Sequence, residues 1–299
     1  MRDASSRSRQ NPSARGGGAR PKPKLRARRS LSQNFLIDIA VAGRIAAALP
    51  IRPDDMIYEI GAGKGFLTEY LVGQVRGADH LWAVEKDHRM VGMLRKKFPG
   101  GGAVRVVHAD VLDLPPDAEP PERCWLIGNL PFGIGHAILN WAFDRRSRFL
   151  GALVTLQREV VHRLLAGPGE SGRSAASLWF QARARGQALF NIPPRAFHPP
   201  PRVTSTVMWI EFAPTTPGIE TIPGIEYVIH SAFAQKRKVL ANNLRAIPHL
   251  SAQQMERVRA ECGDLLRLRA EELTALDFAR LARALKLDPT TSPLGAGRP

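Results

Sequence analysis

The sequence predicts an α/β protein: a doubly wound, mainly parallel sheet followed by a small C-terminal all-helical domain. Three observations carry that expectation. Short apolar runs of strand length alternate with stretches of helical period between residues 56 and 165, their connections are short, and from residue 225 onward only helical periodicity remains. In a sheet of this kind the ligand site lies beyond the carboxyl ends of the strands, so those positions are the ones to search.

The elements follow in order. Asp38 to Leu49 reads as an amphipathic helix with Asp38 as its cap, stopped by Pro50 and Pro53. Strands are expected at Met56 to Ile60, Leu81 to Val84, Val104 to Val107, Trp125 to Ile127 and Leu150 to Leu156. Between them, helices are expected at Phe66 to Val75, His88 to Lys97, Ile134 to Phe143 and Glu159 to Leu165. The run from Ile192 to Pro201 is too rich in proline for a helix or a central strand, and Arg202 to Phe212 resumes a strand pattern. Four helices are then expected around Tyr227 to Ala234, Lys236 to Arg245, Ala252 to Cys262 and Glu271 to Leu285. This divides the chain into a basic tail (1–29), an α/β domain (30–213), a helical domain (224–287) and a flexible tail (288–299), with a boundary near Pro214 to Gly224.

The chain has 299 residues, with 43 Lys and Arg against 27 Asp and Glu, a formal charge of +16. Ten of those bases against Asp3 alone lie in residues 1–29, so +9 of the excess belongs to a segment rich in Ser, Gly, Pro and Arg. Such a segment cannot offset the entropy of ordering itself and should be disordered in isolation. A solubilising extension or an acid-poor transit peptide would share its composition, but a polyanion-binding arm is the preferred reading. No apolar run is long enough for a membrane span. The two cysteines, Cys124 and Cys262, are too far apart in sequence for metal-ligand spacing and too few for a disulfide scaffold, which suits a reducing, cytoplasmic setting. His108, His136, His162 and His198 show no clustering, so no metal is expected.

Four features at strand ends carry chemistry. Glu59-Ile60-Gly61-Ala62-Gly63-Lys64-Gly65-Phe66 follows a strand and opens a helix, with glycines that let the backbone approach a ligand. It lacks the Ser or Thr that a Walker A loop needs after Lys64, and Phe66 stands where a dinucleotide fingerprint needs its third glycine. An acid before such a loop suits a cationic, phosphate-free ligand such as S-adenosyl-L-methionine. Gly61 and Gly63 are the candidate backbone contacts. Glu85 ends the next strand, where a carboxylate can accept both hydroxyls of a ribose; a solvated acid paired with Lys86 or Arg89 is the alternative. Asp110 ends the third strand and could accept an adenine amine, with Asp113 nearby as a turn residue.

The fourth feature is Gly128-Asn129-Leu130-Pro131-Phe132. The exocyclic amine of a nucleobase is a poor nucleophile because its lone pair is delocalised into the ring. An Asn carbonyl and a backbone carbonyl that each accept one of its N–H groups draw the nitrogen toward tetrahedral geometry and expose that lone pair. Pro131 stiffens the arrangement and Phe132 offers a face on which a flipped base stacks. With an already activated electrophile, neither a general base nor a metal is needed.

From about Arg29 to Leu287 the sequence resembles the ribosomal RNA adenine N6-dimethyltransferases, which include housekeeping small-subunit enzymes and macrolide-resistance large-subunit enzymes. The resemblance rests on Ser32-Gln33-Asn34-Phe35-Leu36, the Glu59 to Gly65 loop, Glu85, Asp110, Asn129 to Phe132, Gln157 to Leu164, Pro199 to Val203, Phe233 to Asn243, and Ala270 to Leu273 with Asp277-Phe278. It implies a Rossmann-like class I methyltransferase fold, with S-adenosyl-L-methionine held by Asn34, Leu36, Gly61, Glu85, Asp110 and Asn129, and a catalytic loop of Asn129, Leu130, Pro131 and Phe132. Phe132 stands where the small-subunit branch more often has Tyr, and Gly133-Ile134-Gly135-His136 departs from the usual Asn-Ile-Ser. The segment from Glu159 to Pro168, the prolines from Pro193 to Pro201 and the helical ending favour the housekeeping branch. The long basic tail and the Gly133 to Trp141 stretch resemble some resistance enzymes. The expected activity is dimethylation of small-subunit rRNA by a monomer acting on immature ribosomal subunits, with 23S rRNA methylation and a non-catalytic RNA-binding assembly factor as alternatives. Phosphate contacts are expected from Arg28, Arg29, Lys236, Arg237, Lys238 and Arg245.

Overall fold

The computed structural model describes residues 34–214, 218–248 and 250–287. The expectations for residues 1–29 and 288–299, including Arg28 and Arg29, lie outside the described residues.

The chain enters through a two-residue strand β1 (Phe35–Leu36) and helix α1 (Ile39–Ala47), whose cap Asp38 accepts the Val41 N–H. Strand and helix then alternate: β2 (Met56–Ile60), α2 (Phe66–Leu71), β3 (Leu81–Glu85), α3 (His88–Lys97), β4 (Val104–His108), β5 (Cys124–Asn129), α4 (Gly135–Asp144), β6 (Phe149–Gln157) and α5 (Arg158–Leu165). Helix α6 (Ala175–Gln181) leads to β7 (Arg185–Ile192), the two-residue β8 (Phe197–His198) and β9 (Ser205–Glu211). The main sheet runs β4-β3-β2-β5-β6-β9-β7; its first five strands are parallel, and β9 lies antiparallel to both β6 and β7. Strand order reverses beside β2, which makes the carboxyl ends of β2 and β5 the switch point.

The central strands are buried on both faces, as a parallel sheet between helices requires. Tyr58 and Leu126 face one core with Trp141 and Phe143, while Ile57 and Ile127 face the other with Leu71 and Leu81. Gly128 is set by this packing. It sits opposite Ile60 in the β2–β5 ladder, and a Cβ there would lie 2.7 Å from the Ile60 carbonyl oxygen. Only glycine lets β5 run this close to β2 up to Asn129.

The helical region contains α7 (Ile225–Phe233), α8 (Leu240–Arg245), α9 (Ala252–Cys262) and α10 (Ala275–Leu285), around a core that includes Val228, Leu244, Val258, Phe278 and Leu281. Ser251 and Thr274 open α9 and α10 with reciprocal capping boxes. Leu178 of α6 and its C-cap Ala182 belong to this same core, the Gly169 N–H donates to the Glu271 carbonyl at 2.8 Å, and Glu220 accepts from Arg146 at 2.9 Å.

Several expectations need correction. The helix expected from Lys236 begins only at Leu240, so Lys236, Arg237 and Lys238 lie in a turn. The buried Asn243 amide holds that turn, donating to the Ala232 carbonyl at 2.8 Å and accepting the Gln235 N–H at 3.2 Å. The helix expected at Glu271 starts at Ala275, after a single 3-10 turn over Ala270–Glu272. Strand β5 extends through Asn129, so this residue ends the strand instead of following it.

Candidate active site

A cavity of about 400 Å³ opens at the carboxyl ends of β2, β3, β4 and β5. Every position expected to hold cofactor or to form the catalytic loop lines it: Asn34, Leu36, Gly61, Gly63, Glu85, Asp110, Asn129, Leu130, Pro131 and Phe132. These residues come from five separate chain segments, and the sheet brings them together.

The floor is the β2–α2 loop. Gly61 and Gly63 have φ of +70° and +56°, and the Gly61 and Ala62 N–H groups both donate to the Val84 carbonyl at the end of β3, at 2.9 and 3.2 Å. A Cβ on Gly63 would lie 3.1 Å from the Phe35 ring, which comes over the loop from β1. Lys64 lies 4.9 Å from the centre of that ring.

Two carboxylates are buried in this floor. Glu85 accepts the Gly63 N–H on one oxygen at 2.9 Å and the Asp87 N–H on the other at 2.8 Å. It is not the solvated, ion-paired acid of the alternative reading: Lys86 pairs with Asp110, and Arg89 pairs with Asp87. Burial raises the Glu85 pKa above the usual carboxylate range, against the opposing effect of the backbone N–H groups of Asp87, Gly63 and Lys86. Each oxygen retains a lone pair for a ligand hydroxyl. Glu59, on β2, is only 2% exposed and accepts the Thr68 hydroxyl at 2.7 Å. Burial pushes its pKa up to about 7; the Thr68 hydrogen bond opposes that rise and the neighbouring Glu85 adds to it.

Asp110 accepts the Leu112 N–H on one oxygen at 3.2 Å, forming a turn, and pairs with Lys86 through the other. Asp113 closes that turn through its own N–H to the Asp110 carbonyl. An adenine amine would therefore share the Asp110 carboxylate with Lys86.

Opposite the acids, β5 delivers Asn129. Its Nδ2 donates to the Asn34 carbonyl at 3.1 Å, which fixes the plane of the amide, while its Oδ1 is buried without a hydrogen-bond partner. A buried, unsatisfied carbonyl is costly in a folded protein and is retained where a ligand supplies the missing donor. Leu130 is anchored through its N–H to Thr155 of β6 at 3.1 Å, and Phe132 is half-buried at the cavity wall. The lining suits a cationic nucleoside and an amine: it offers two buried carboxylates and an unpaired amide carbonyl as acceptors beside a glycine loop.

Sequence reading left Phe35, Lys64, Lys86 and Ile138 out of the site, although all line the cavity. For Lys86 the signal was present, since it stands next to Glu85. For Phe35 it was not, because this residue is placed over the loop by the pairing of β1 with β8, where its partner is His198, far along the chain. Among the described residues, no group of three or more His, Cys, Asp or Glu is placed to hold a metal, and no helix is long and apolar enough to cross a membrane.

Comparison with known proteins agrees with this geometry. The ribosomal RNA adenine dimethylase family model matches residues 24–283. The chain is 37% identical to the ribosomal RNA small subunit methyltransferase A of Acidobacterium capsulatum, over 91% of this chain and 99% of that protein. It is 36% identical to the protein of the same name from Geobacter metallireducens, over 87% of this chain and 96% of that one. Among solved structures, the 23S rRNA methyltransferase ErmE superposes with a TM-score of 0.62 at 26% identity, covering 85% of this chain and all of that one. A dimethyladenosine transferase from Plasmodium falciparum superposes with a TM-score of 0.67 at 20% identity, covering 83% and 95%, and shares the fold. With both its sequence and its cavity accounted for in this way, the chain belongs to the ribosomal RNA adenine dimethylase family.

Proposed function

We propose that this protein transfers methyl groups from S-adenosyl-L-methionine to N6 of adenosine in small-subunit rRNA during ribosome biogenesis. The observation that carries the reading is the Asn129 Oδ1, buried, unpartnered and held in place by the Asn34 carbonyl. The names of the relatives at 36 and 37% identity favour the small subunit over 23S rRNA.

When bound, S-adenosyl-L-methionine supplies a methyl group made electrophilic by its sulfonium. Glu85 accepts the ribose hydroxyls with the lone pairs that Gly63 and Asp87 leave free. Asp110, shared with Lys86, accepts the adenine amine, and Asn34, Leu36, Gly61 and Gly63 shape the walls. Asn129 Oδ1 and the Leu130 carbonyl accept the two N–H groups of the target amine and raise the nucleophilicity of its nitrogen; its proton leaves after transfer. Pro131 stiffens the Leu130 carbonyl, and Phe132 stacks on the flipped base. Lys236, Arg237, Lys238 and Arg245, all exposed and without a carboxylate partner among the described residues, hold the phosphate backbone together with the basic tail. We retain the division into an α/β domain over 30–213 and a helical domain over 224–287, and a monomer acting in the cytoplasm, as parts of this proposal.

Labelled cofactor incubated with immature small subunits tests it: label is expected in dimethyladenosine of 16S rRNA. Label found only in 23S rRNA, or none at all with a known enzyme active in parallel, would overturn it.

A further inference from the structure

Glu59 is the one buried carboxylate of the cavity to which the proposed chemistry gives no role. Its neighbour Glu85 has a backbone N–H on each oxygen, whereas Glu59 has, among the described residues, a single hydrogen bond, from Thr68 of α2. The charged groups around it offer little compensation. Glu85 on β3 is of like sign. Lys97 on α3 pairs with Glu69 and also donates to the Gly65 carbonyl at 3.3 Å. Lys64 in the loop lies over Phe35, Lys86 pairs with Asp110, and Asp87 pairs with Arg89. From β5, the strand on its other side, Glu59 faces only the apolar Ile127. A carboxylate in such a place is poorly solvated as an anion and responds strongly to any cation that enters the cavity.

We propose that Glu59 reads the charge of the bound cofactor: it is partly protonated while the cavity holds no sulfonium, gives up that fraction of a proton to solvent on binding the sulfonium cofactor, and takes it back when the thioether is left. Glu59 is thereby a specificity-determining residue that favours cofactor over product. The inference rests on the cofactor reading above. Cofactor and product differ by one unit of charge and one methyl group, so a residue that senses the charge separates them where shape hardly can. Raised to about 7, its pKa places the exchange in the neutral range.

Calorimetry of the full chain at pH 7, in two buffers of different protonation enthalpy, counts the protons exchanged with S-adenosylmethionine and with S-adenosylhomocysteine. The sulfonium is expected to release about half a proton more than the thioether, since a group near pKa 7 is about half protonated at that pH. Glu59→Gln should remove the difference and lower the ratio of the two affinities about tenfold toward the thioether, the equivalent of roughly one pKa unit. Thr68→Val takes away the only hydrogen bond to the carboxylate among the described residues. It should increase proton release at pH 7, and it keeps the test decisive if Glu59→Gln fails to fold. Equal proton counts for the two ligands overturn the inference while leaving the cofactor reading intact. A difference that persists in Glu59→Gln also overturns it and places the proton on Glu85. If neither ligand binds, the cofactor reading fails and this inference with it.

Discussion

On one side of the cavity, both oxygens of Glu85 are already oriented by the backbone N–H groups of Gly63 and Asp87. On the other, Asn129 arrives with its amide held by the Asn34 carbonyl and its Oδ1 left unpaired. The acidic side is braced by the loop that follows β2, which is hydrogen-bonded into the adjoining β3, so its geometry is complete before anything binds. The amide side has an acceptor that no described residue fills and that is left for a ligand donor. In the proposed reaction one ligand must be bound and exchanged and the other activated, and such a division suits that: binding by groups already oriented, activation by one left unsatisfied.

Four measurements would break or sharpen that contrast. Asn129→Ala should have the largest effect, a loss of about 10²–10³-fold in kcat with RNA affinity nearly unchanged, because the removed acceptor acts chiefly in the transition state. Near-normal turnover would remove the amide side of the comparison. Second is the pH dependence of stability. The Glu59 pKa rises from 4.5 to about 7 on folding, so the folded state binds more protons than the unfolded state between those values. Stability should therefore be full below pH 4.5 and fall as pH rises toward 7, by on the order of 3 kcal/mol from this group. Thermal melts across this range should be flatter for Glu59→Gln, and parallel curves would show that Glu59 ionises freely.

Third, Glu85→Gln should weaken cofactor binding about 10–100-fold in calorimetry while kcat at saturation changes less, the expected split for a group that binds ground and transition states alike. An effect on kcat alone would merge the two sides. The smallest effect is expected from Lys86→Met. Its pairing with Asp110 is exposed, and such pairs contribute about 0–1 kcal/mol, so the cofactor KM should shift by no more than about fivefold. A larger shift, restored by Lys86→Arg, would show that the pair belongs to the braced side.

Most of this site was legible in the sequence because its chemistry sits at strand ends, and buried parallel strands announce themselves as continuous apolar runs. The helix His88–Lys97 was placed without error, since Asp87 caps it and its apolar period is regular. What could not be read was whatever depends on distant pairing. Strands β1 and β8 have two residues each and exist only by pairing with one another, and β7 carries the mixed polar pattern of an edge strand. The ion pair that occupies Asp110 was equally hidden, because nothing local to residue 110 points to Lys86. The turn at Lys236 to Lys238 was misread as helix because the amide that holds it belongs to Asn243, one helix later.

The hydrogen bond from Asn129 to the Asn34 carbonyl sets a limit on how far the amino terminus can be trimmed. Chain up to Ala27 can be removed with an expected loss of RNA affinity and of its salt dependence, but with chemistry preserved at saturating RNA. A cut that passes Asn34 is a different operation. It frees the Asn129 amide to rotate about its own bond and present NH₂ where an acceptor is required, so a shortened protein could still fold and bind RNA while having lost its reactivity at a residue 95 positions away.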